Sequence, residues 1–230
     1  MSDRICYIPL RTGEDLLLNA VKSLYDQIDS FMVINSTEKD LFPLFEEVDK
    51  DHKVNFINPT DPLCFEQSIN VAIKHAYWLH QAPYIIWAHN DIVAQPGAID
   101  ALMDTYEKVK DTKWGVIYGN YDVLCMFNPR FFVDEGIWGD PNLFTNYFGD
   151  NHRYRLMDLR GYSRIDAPNV GDKVTHIGSQ TIRNSPYFGR VNSLTFDLES
   201  QLYVRIWGGI SPNETNPDST CGGLYPLRSV

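Results

Sequence analysis

Residues 84–91 read Tyr84-Ile-Ile-Trp-Ala-His-Asn-Asp91, an apolar run that ends abruptly in three polar residues. A strand with one face in water alternates polar and apolar side chains, so we predict that residues 84–88 form a strand buried on both faces. Such strands belong to parallel sheets covered by helices. His89, Asn90 and Asp91 then follow the carboxyl end of the strand, where open α/β sheets bind ligands. Together these three side chains are suited to hold a cation or a sugar.

Strands and helices alternate around this run through the first 110 residues. Apolar residues recur every three or four positions in residues 14–28, which predicts a helix. The same reading predicts strands at residues 5–10, 31–34 and 54–57 and helices at residues 41–48, 65–76 and 96–110. The alternation predicts an α/β fold, a single domain with a Rossmann-like, mostly parallel sheet that binds its ligand at the carboxyl ends of its strands.

The pattern changes after Trp114. Residues 114–118 and 121–127 are predicted to pair as a hairpin around Gly119-Asn120, which adds a small antiparallel extension to the sheet. Residues 128–200 mix short helices with Gly- and Asn-rich loops, and residues 202–206 suggest an aromatic-rich strand. We therefore divide the domain into a first half (1–112), a second half (113–207) and an irregular C-terminal tail (208–230).

Composition and charge narrow the classes of protein. The 230 residues suffice for one well-buried domain, and the net charge of −10 argues against broad binding to nucleic acid. Residues 1–112 hold 18 Asp/Glu against 9 Lys/Arg, whereas residues 150–190 hold 7 Lys/Arg against 4 Asp/Glu. The four cysteines form no CxxC pair, so we expect reduced thiols. With no signal peptide and no apolar run of about 20 residues, we expect a cytoplasmic protein without a membrane partner.

The order of these elements and motifs resembles the small glycosyltransferases of the GT-A fold, close to the large family-2 group and to small bacteriophage-type enzymes. The resemblance covers roughly residues 5–209 and implies a nucleotide-sugar-binding first half and an acceptor-side, catalytic second half. In the family the fourth strand ends in Asp-x-Asp, whose last carboxylate binds the divalent cation. Here His89-Asn90-Asp91 occupies that position, so Asp91 is implied as a metal ligand and His89 replaces the first aspartate. The alternative is that Asp91 caps a turn over His89.

The resemblance also implies the residues that contact the nucleotide. Pro9 and Arg11 lie in the loop after the first strand, and Arg11 is either a diphosphate contact or a solvated surface charge. Asn35 occupies the place of the acidic residue that binds uracil, and an amide also pairs with a pyrimidine. Gln67 and Asn70 match the helix along the nucleotide and sugar. Because Glu66, Asn70 and Lys74 share one face at four-residue spacing, an ordinary solvent face with an ion pair is the alternative.

Two downstream residues complete the implied site. Asp150, in Phe148-Gly-Asp-Asn-His, matches the catalytic base of an inverting transfer, although the same position suits a helix N-cap. His176 matches the histidine that joins the cation site, and Mn or Mg is the implied ion. The implied donor is a UDP-sugar. Trp207-Gly-Gly209 resembles a C-terminal motif of the bacteriophage-type enzymes.

The acceptor is left open between two classes of molecule. The basic residues of segment 150–190 suit a phosphate backbone, and Tyr154 and Tyr162 suit stacking on a flipped base, so a hydroxymethylated base in DNA is one hypothesis. A soluble saccharide or protein glycan is the other. If these arginines pair with Asp158, Asp166 and Asp172, they are not available to bind DNA and the DNA hypothesis fails. A non-catalytic nucleotide-sugar-binding module is the alternative to an enzyme.

Overall fold

The computed structural model describes residues 4–178, 183, 186–210 and 213–215. The strands are β1 (Ile5–Leu10), β2 (Ser30–Asn35), β3 (Val54–Ile57), β4 (Ile85–Ala88), β5 (Ile92–Ala94), β6 (Trp114–Tyr118), β7 (Leu124–Phe127), β8 (Ser163–Asp166) and β9 (Val174–His176). The helices are α1 (Glu14–Leu24), α2 (Phe42–Phe45), α3 (Phe65–Lys74), α4 (Ala98–Val109), α5 (Pro129–Asp134), α6 (Gly149–Leu159), α7 (Pro168–Gly171) and α8 (Pro186–Trp207). None of the helices in these ranges is long and apolar enough to cross a membrane.

Seven of these strands form one sheet in the order β3-β2-β1-β4-β7-β6-β8. Strands β3, β2, β1 and β4 run parallel, while β7 lies antiparallel to both β4 and β6. The α/β class, the mostly parallel sheet and the β6–β7 hairpin are thus confirmed. Strands β5 and β9 form a separate antiparallel ribbon, with Ile92 opposite His176 and Ala94 opposite Val174.

The sheet has a hydrophobic core on each face, which explains the apolar run in β4. Ile86 and Ala88 pack with α1 and α4, whereas Ile85 and Trp87 point to the other face and pack with α3, α6 and α8. All four β4 side chains are buried, as the absence of alternation predicts. Since neither face of β4 reaches solvent, polar residues begin only where the strand ends.

Several predicted elements differ from the structure: the helix predicted over residues 41–48 is only Phe42–Phe45, the helix predicted over residues 65–76 ends at Lys74, and the strand predicted over residues 121–127 begins at Leu124. The helix predicted over residues 14–28 ends at Leu24 and continues as a 3₁₀ turn, Tyr25–Gln27. The strand predicted over residues 202–206 is wrong, because these residues belong to α8. There Tyr203, Ile206 and Trp207 are buried at helical spacing. The irregular tail predicted for residues 208–230 lies mostly outside the described residues, as does Cys221, while Cys6, Cys64 and Cys125 are free thiols.

Candidate active site

A cavity of about 730 Å³ opens at the carboxyl ends of β1 and β4. Its walls come from residues 9–12 at the end of β1, residues 89–91 after β4, and the first turns of α3 and α6. This is the edge of the sheet at which the fold class places a ligand. The cavity therefore gathers segments that are far apart in sequence around one space.

Three side chains on the cavity wall are arranged like metal ligands. The ligand atoms of His89, Asp91 and His176 all lie within 4.8 Å of one another. The closest pair is His176 Nε2 and Asp91 Oδ1, which are 3.1 Å apart and 85 positions apart in sequence. The β5–β9 ribbon brings them together, since β5 starts directly after Asp91 and pairs with the strand that ends in His176.

The electrostatics of these side chains suit a cation. Burial raises the pKa of Asp91 most, but the hydrogen bond with His176, the charges of His176 and His89 and a backbone hydrogen bond together outweigh it and leave that pKa lowered. The same bond raises the pKa of His176. Burial lowers the pKa of His89, whose Nε2 is buried without a hydrogen-bond partner among the described residues, 3.8 Å from Asp122 Oδ1. Once the His176 ring is deprotonated, the site offers a carboxylate and two neutral imidazoles, which suit Mn²⁺, so the residues present fit a divalent ion.

The end of β1 and the loop that follows it lie against the same wall. Pro9 and Arg11 both line the cavity, and Arg11 is exposed, with Nη1 donating to the Ser36 carbonyl over 3.3 Å. Asn90 fixes this loop, because its Nδ2 donates to the Thr12 carbonyl over 2.9 Å. Asn90 thus links the end of β4 to the end of β1 and holds Arg11 at the cavity.

Two of the sequence-predicted nucleotide contacts do not line the cavity. The buried Asn35 donates to Lys39 O and Asn58 Oδ1, and its Oδ1 accepts from the backbone N–H and the hydroxyl of Thr37. Asn70 exchanges a pair of hydrogen bonds with the backbone of Gly139. Both amides are therefore engaged in holding loops of the protein.

Gln67 does line the cavity, and its side chain also serves the start of α3. Its Oε1 accepts from the Cys64 backbone N–H over 2.8 Å, in a capping box at the first turn of that helix. The side chain is consequently held in place at the cavity wall.

Asp150 lies in the first turn of α6 and lines the cavity together with the three candidate ligands. Burial raises its pKa most, Asp122 adds to this effect and Arg153 opposes it, which together give a pKa of about 6. A carboxyl group with this pKa is mostly ionised at neutral pH and still accepts a proton readily. The local environment thus suits a general base.

A buried ion pair behind Asp150 went undetected in the sequence. Arg153 is 1% exposed and donates through Nη1 to both carboxylate oxygens of Glu66, which is 3% exposed. The solvent face predicted as the alternative for Glu66 is therefore wrong. A Cβ added at Gly149 would lie 2.1 Å from Glu66 Oε1, so that position requires glycine. No periodic pattern marks this pair, because 87 positions separate its members.

Helix α8 supplies a wall that sequence reasoning also missed. Tyr187, Val191, Asn192 and Phe196 line the cavity from this helix. Tyr147 donates a hydrogen bond to Asn192 Oδ1, and the Tyr147 ring meets Phe196 edge-on with centroids 5.0 Å apart. The described part of α8 thus closes the side of the cavity next to Asp150 with aromatic and amide groups.

The arginines of the basic segment are largely engaged within the protein. Arg153 is buried in its ion pair, and Arg164 forms two hydrogen bonds of 2.9 Å with Asp158. Arg160 Nε lies 3.8 Å from Glu135 Oε2. Within the ranges that the structure covers, these three side chains do not combine into an open cationic surface.

Comparisons with known proteins identify the fold. No protein-family model matches the chain, and no curated protein matches it. A solved mannosyltransferase, PcManGT from Pyrobaculum calidifontis in complex with GDP-Man and Mn²⁺, is 16% identical with a TM-score of 0.60, covering 90% of this chain and 71% of that chain. TarS 1–349 from S. aureus is 12% identical with a TM-score of 0.50, covering 66% of this chain and 54% of that chain. The chain has a GT-A-like glycosyltransferase fold.

Proposed function

We propose that this protein is a metal-dependent glycosyltransferase that moves a sugar from a nucleoside diphosphate donor to an acceptor hydroxyl. The observation that carries the proposal is the convergence of His89, Asp91 and His176 on one wall of a cavity that Asp150 also lines. The similarity to a structure that holds GDP-Man and Mn²⁺ supports it. A fold alone does not define a reaction, so the proposal depends on this arrangement of side chains.

The three candidate ligands would hold the cation. A bound Mn²⁺ or Mg²⁺ supplies positive charge that stabilises a departing diphosphate. Asp91 offers an ionised carboxylate because its pKa is lowered, and His89 offers a neutral ring. His89 thus takes the place of the family's first aspartate as a nitrogen ligand. Arg11, in the adjacent loop, would bind the phosphates, with Pro9, Gln67 and Asn90 forming the surrounding wall.

Asp150 would act as the general base of an inverting transfer. Its carboxylate takes the proton of the acceptor hydroxyl while that oxygen bonds to the anomeric carbon, and the bond from this carbon to the diphosphate oxygen breaks. The electron pair leaves with the diphosphate. Because Asp150 stands at the start of a helix, its direction is fixed by the backbone.

The donor is proposed as a nucleoside diphosphate sugar, with UDP-sugars and GDP-mannose as the compounds to compare. Asn35 was expected to read a pyrimidine, but both ends of its amide are hydrogen-bonded within the protein. It therefore gives no preference for uracil. GDP-mannose enters the comparison because the similar mannosyltransferase structure contains it.

For the acceptor, a saccharide is supported better than DNA. Arg164 is paired with Asp158, and Tyr154 and Tyr162, the rings expected to stack on a flipped base, are only 4% and 8% exposed. Stacking on a base requires an open ring face. We therefore propose a saccharide hydroxyl as the acceptor.

Donor hydrolysis tests the proposal without a known acceptor. The full chain is incubated with Mn²⁺ and UDP-glucose, UDP-galactose, UDP-N-acetylglucosamine or GDP-mannose, and release of UDP or GDP is measured. We expect slow release from at least one donor, which stops with EDTA and in His176→Ala. A donor that raises the unfolding temperature without being hydrolysed would indicate a non-catalytic binding module. No stabilisation and no release with any donor would contradict the proposal.

A further inference from the structure

A second pocket of about 230 Å³ lies beside the main cavity. Tyr121, Tyr154 and Arg164 line it, and Asn151 lines both this pocket and the main cavity. Asn151 directly follows Asp150 in the first turn of α6. A molecule that presents a hydroxyl to Asp150 therefore has this pocket next to it.

The charges in the second pocket are balanced. Arg164 donates to both oxygens of Asp158, each over 2.9 Å, and Arg155 and Glu214 add one charge of each sign. The Glu214 carboxylate accepts a hydrogen bond of 2.6 Å from the Tyr203 hydroxyl. Such a lining has no excess positive charge for a phosphate, and it is too polar for a hydrocarbon chain.

Aromatic rings complete the second pocket. Tyr121 is 46% exposed, with its hydroxyl accepting from Asn151 Nδ2 over 2.7 Å. Tyr154 is 4% exposed and its hydroxyl is buried, so this residue contributes to the wall of the pocket rather than a hydrogen bond to a ligand. The Arg164 guanidinium lies 5.7 Å from the centre of the Tyr154 ring.

We propose that this second pocket binds one pyranose ring of a saccharide acceptor, adjoining the sugar unit whose hydroxyl reaches Asp150. A pyranose has hydroxyls that donate and accept, which suits Asn151 and the Arg164–Asp158 pair, and C–H faces that suit Tyr121. The inference rests on the proposed function for the position of the reacting hydroxyl. The acceptor class and the binding of the saccharide itself are tested independently of donor chemistry.

The first test measures saccharide binding without donor or metal. The full chain is applied to an array of oligosaccharides containing mannose, glucose, galactose or N-acetylglucosamine, and the affinity of each bound saccharide is then measured by calorimetry. We expect Arg164→Ala and Tyr121→Ala each to weaken binding by about tenfold or more, because the first removes hydrogen bonds to the sugar and the second removes the exposed ring against which its C–H face packs. Arg130→Ala, an exposed arginine outside both cavities, should bind like the unaltered protein.

The matched measurements separate this inference from the proposed function. Arg164→Ala should keep Mn²⁺-dependent stabilisation by the donor, whereas His176→Ala should lose it and keep saccharide binding. If no donor is hydrolysed but saccharide binding still depends on Arg164, the proposed transferase activity is contradicted and the inference about the second pocket stands. Any of three results overturns the inference. No saccharide on the array is bound, or saccharide binding is unchanged in both pocket variants, or the protein binds duplex DNA instead of saccharide and Arg164→Ala abolishes that DNA binding.

Discussion

At the scale of single residues, the three candidate metal ligands differ in what they already contact. Asp91 and His176 share a hydrogen bond, while the buried Nε2 of His89 has no hydrogen-bond partner among the described residues. We expect His176→Ala to weaken Mn²⁺ binding by at least about tenfold. Loss of a residue that only hydrogen-bonds to a metal ligand already lowers metal affinity by about that factor, and loss of the ligand itself should lower it at least as much. Thermal unfolding across a Mn²⁺ titration measures this.

The control for this variant is His80→Ala, which removes an exposed histidine that does not line the cavity. It should keep the Mn²⁺ affinity of the unaltered protein. Equal affinities in all three proteins would contradict the metal site.

Asp150 makes a pH-dependent prediction. Burial and the neighbouring Asp122 raise its pKa to about 6, so the carboxylate form is lost as the pH falls through 6. We expect the rate of transfer to level off above pH 7 and to fall by about tenfold per pH unit well below 6. Asp150→Asn should lower transfer by about 10²–10⁴-fold and retain donor binding. A rate that is flat from pH 5 to 8 would contradict Asp150 as the base.

At the scale of elements, the Glu66–Arg153 pair joins α3 to α6 behind the site. Arg153→Leu leaves the Glu66 carboxylate buried without its partner, which we expect to cost about 3–5 kcal/mol of unfolding free energy. Arg164→Leu breaks an ion pair whose members are 37% and 33% exposed, and should cost at most about 1 kcal/mol. Urea unfolding of both variants measures the difference, and equal losses would show that the buried pair is not a structural link.

Elements with many similar side chains were predictable from the sequence. Strands β1, β3 and β6 begin and end where predicted, because short, mostly apolar runs between polar or glycine residues define them. The ribbon strands β5 and β9 were missed, since three residues each give no measurable alternation. The end of α8 was read as a strand because its aromatic and β-branched residues also favour strands, and only the spacing of the buried ones is helical.

The candidate site was predictable only in part for a related reason. His89, Asn90 and Asp91 follow a strand that the sequence identifies, so their place at the edge of the sheet could be inferred. The buried state of Glu66 and the internal hydrogen bonds of Asn35 depend on long-range contacts, which no local pattern encodes. The wall formed by α8 is hidden in the same way.

At the scale of the whole molecule, the sheet edge collects side chains from both halves of the chain. The first half contributes His89 and Asp91, and the second contributes Asp150 and His176. The proposed nucleotide-sugar-binding half and the proposed acceptor-side half thus meet at the cavity. We expect neither half to bind donor when expressed without the other, as thermal shift with Mn²⁺ and donor would show. Donor binding by residues 1–112 alone would contradict this.

The small size of the β5–β9 ribbon has a consequence for the rest of the fold. An isolated two-stranded pairing of three-residue strands is marginal in water, yet this one carries His176 to Asp91. An ion bound by both residues would fasten the ribbon, so we expect Mn²⁺ to slow amide exchange at Val174–His176 while leaving β2 unchanged. Metal supply would then govern how firmly this flank of the fold is held and, under the proposed function, how fast transfer proceeds.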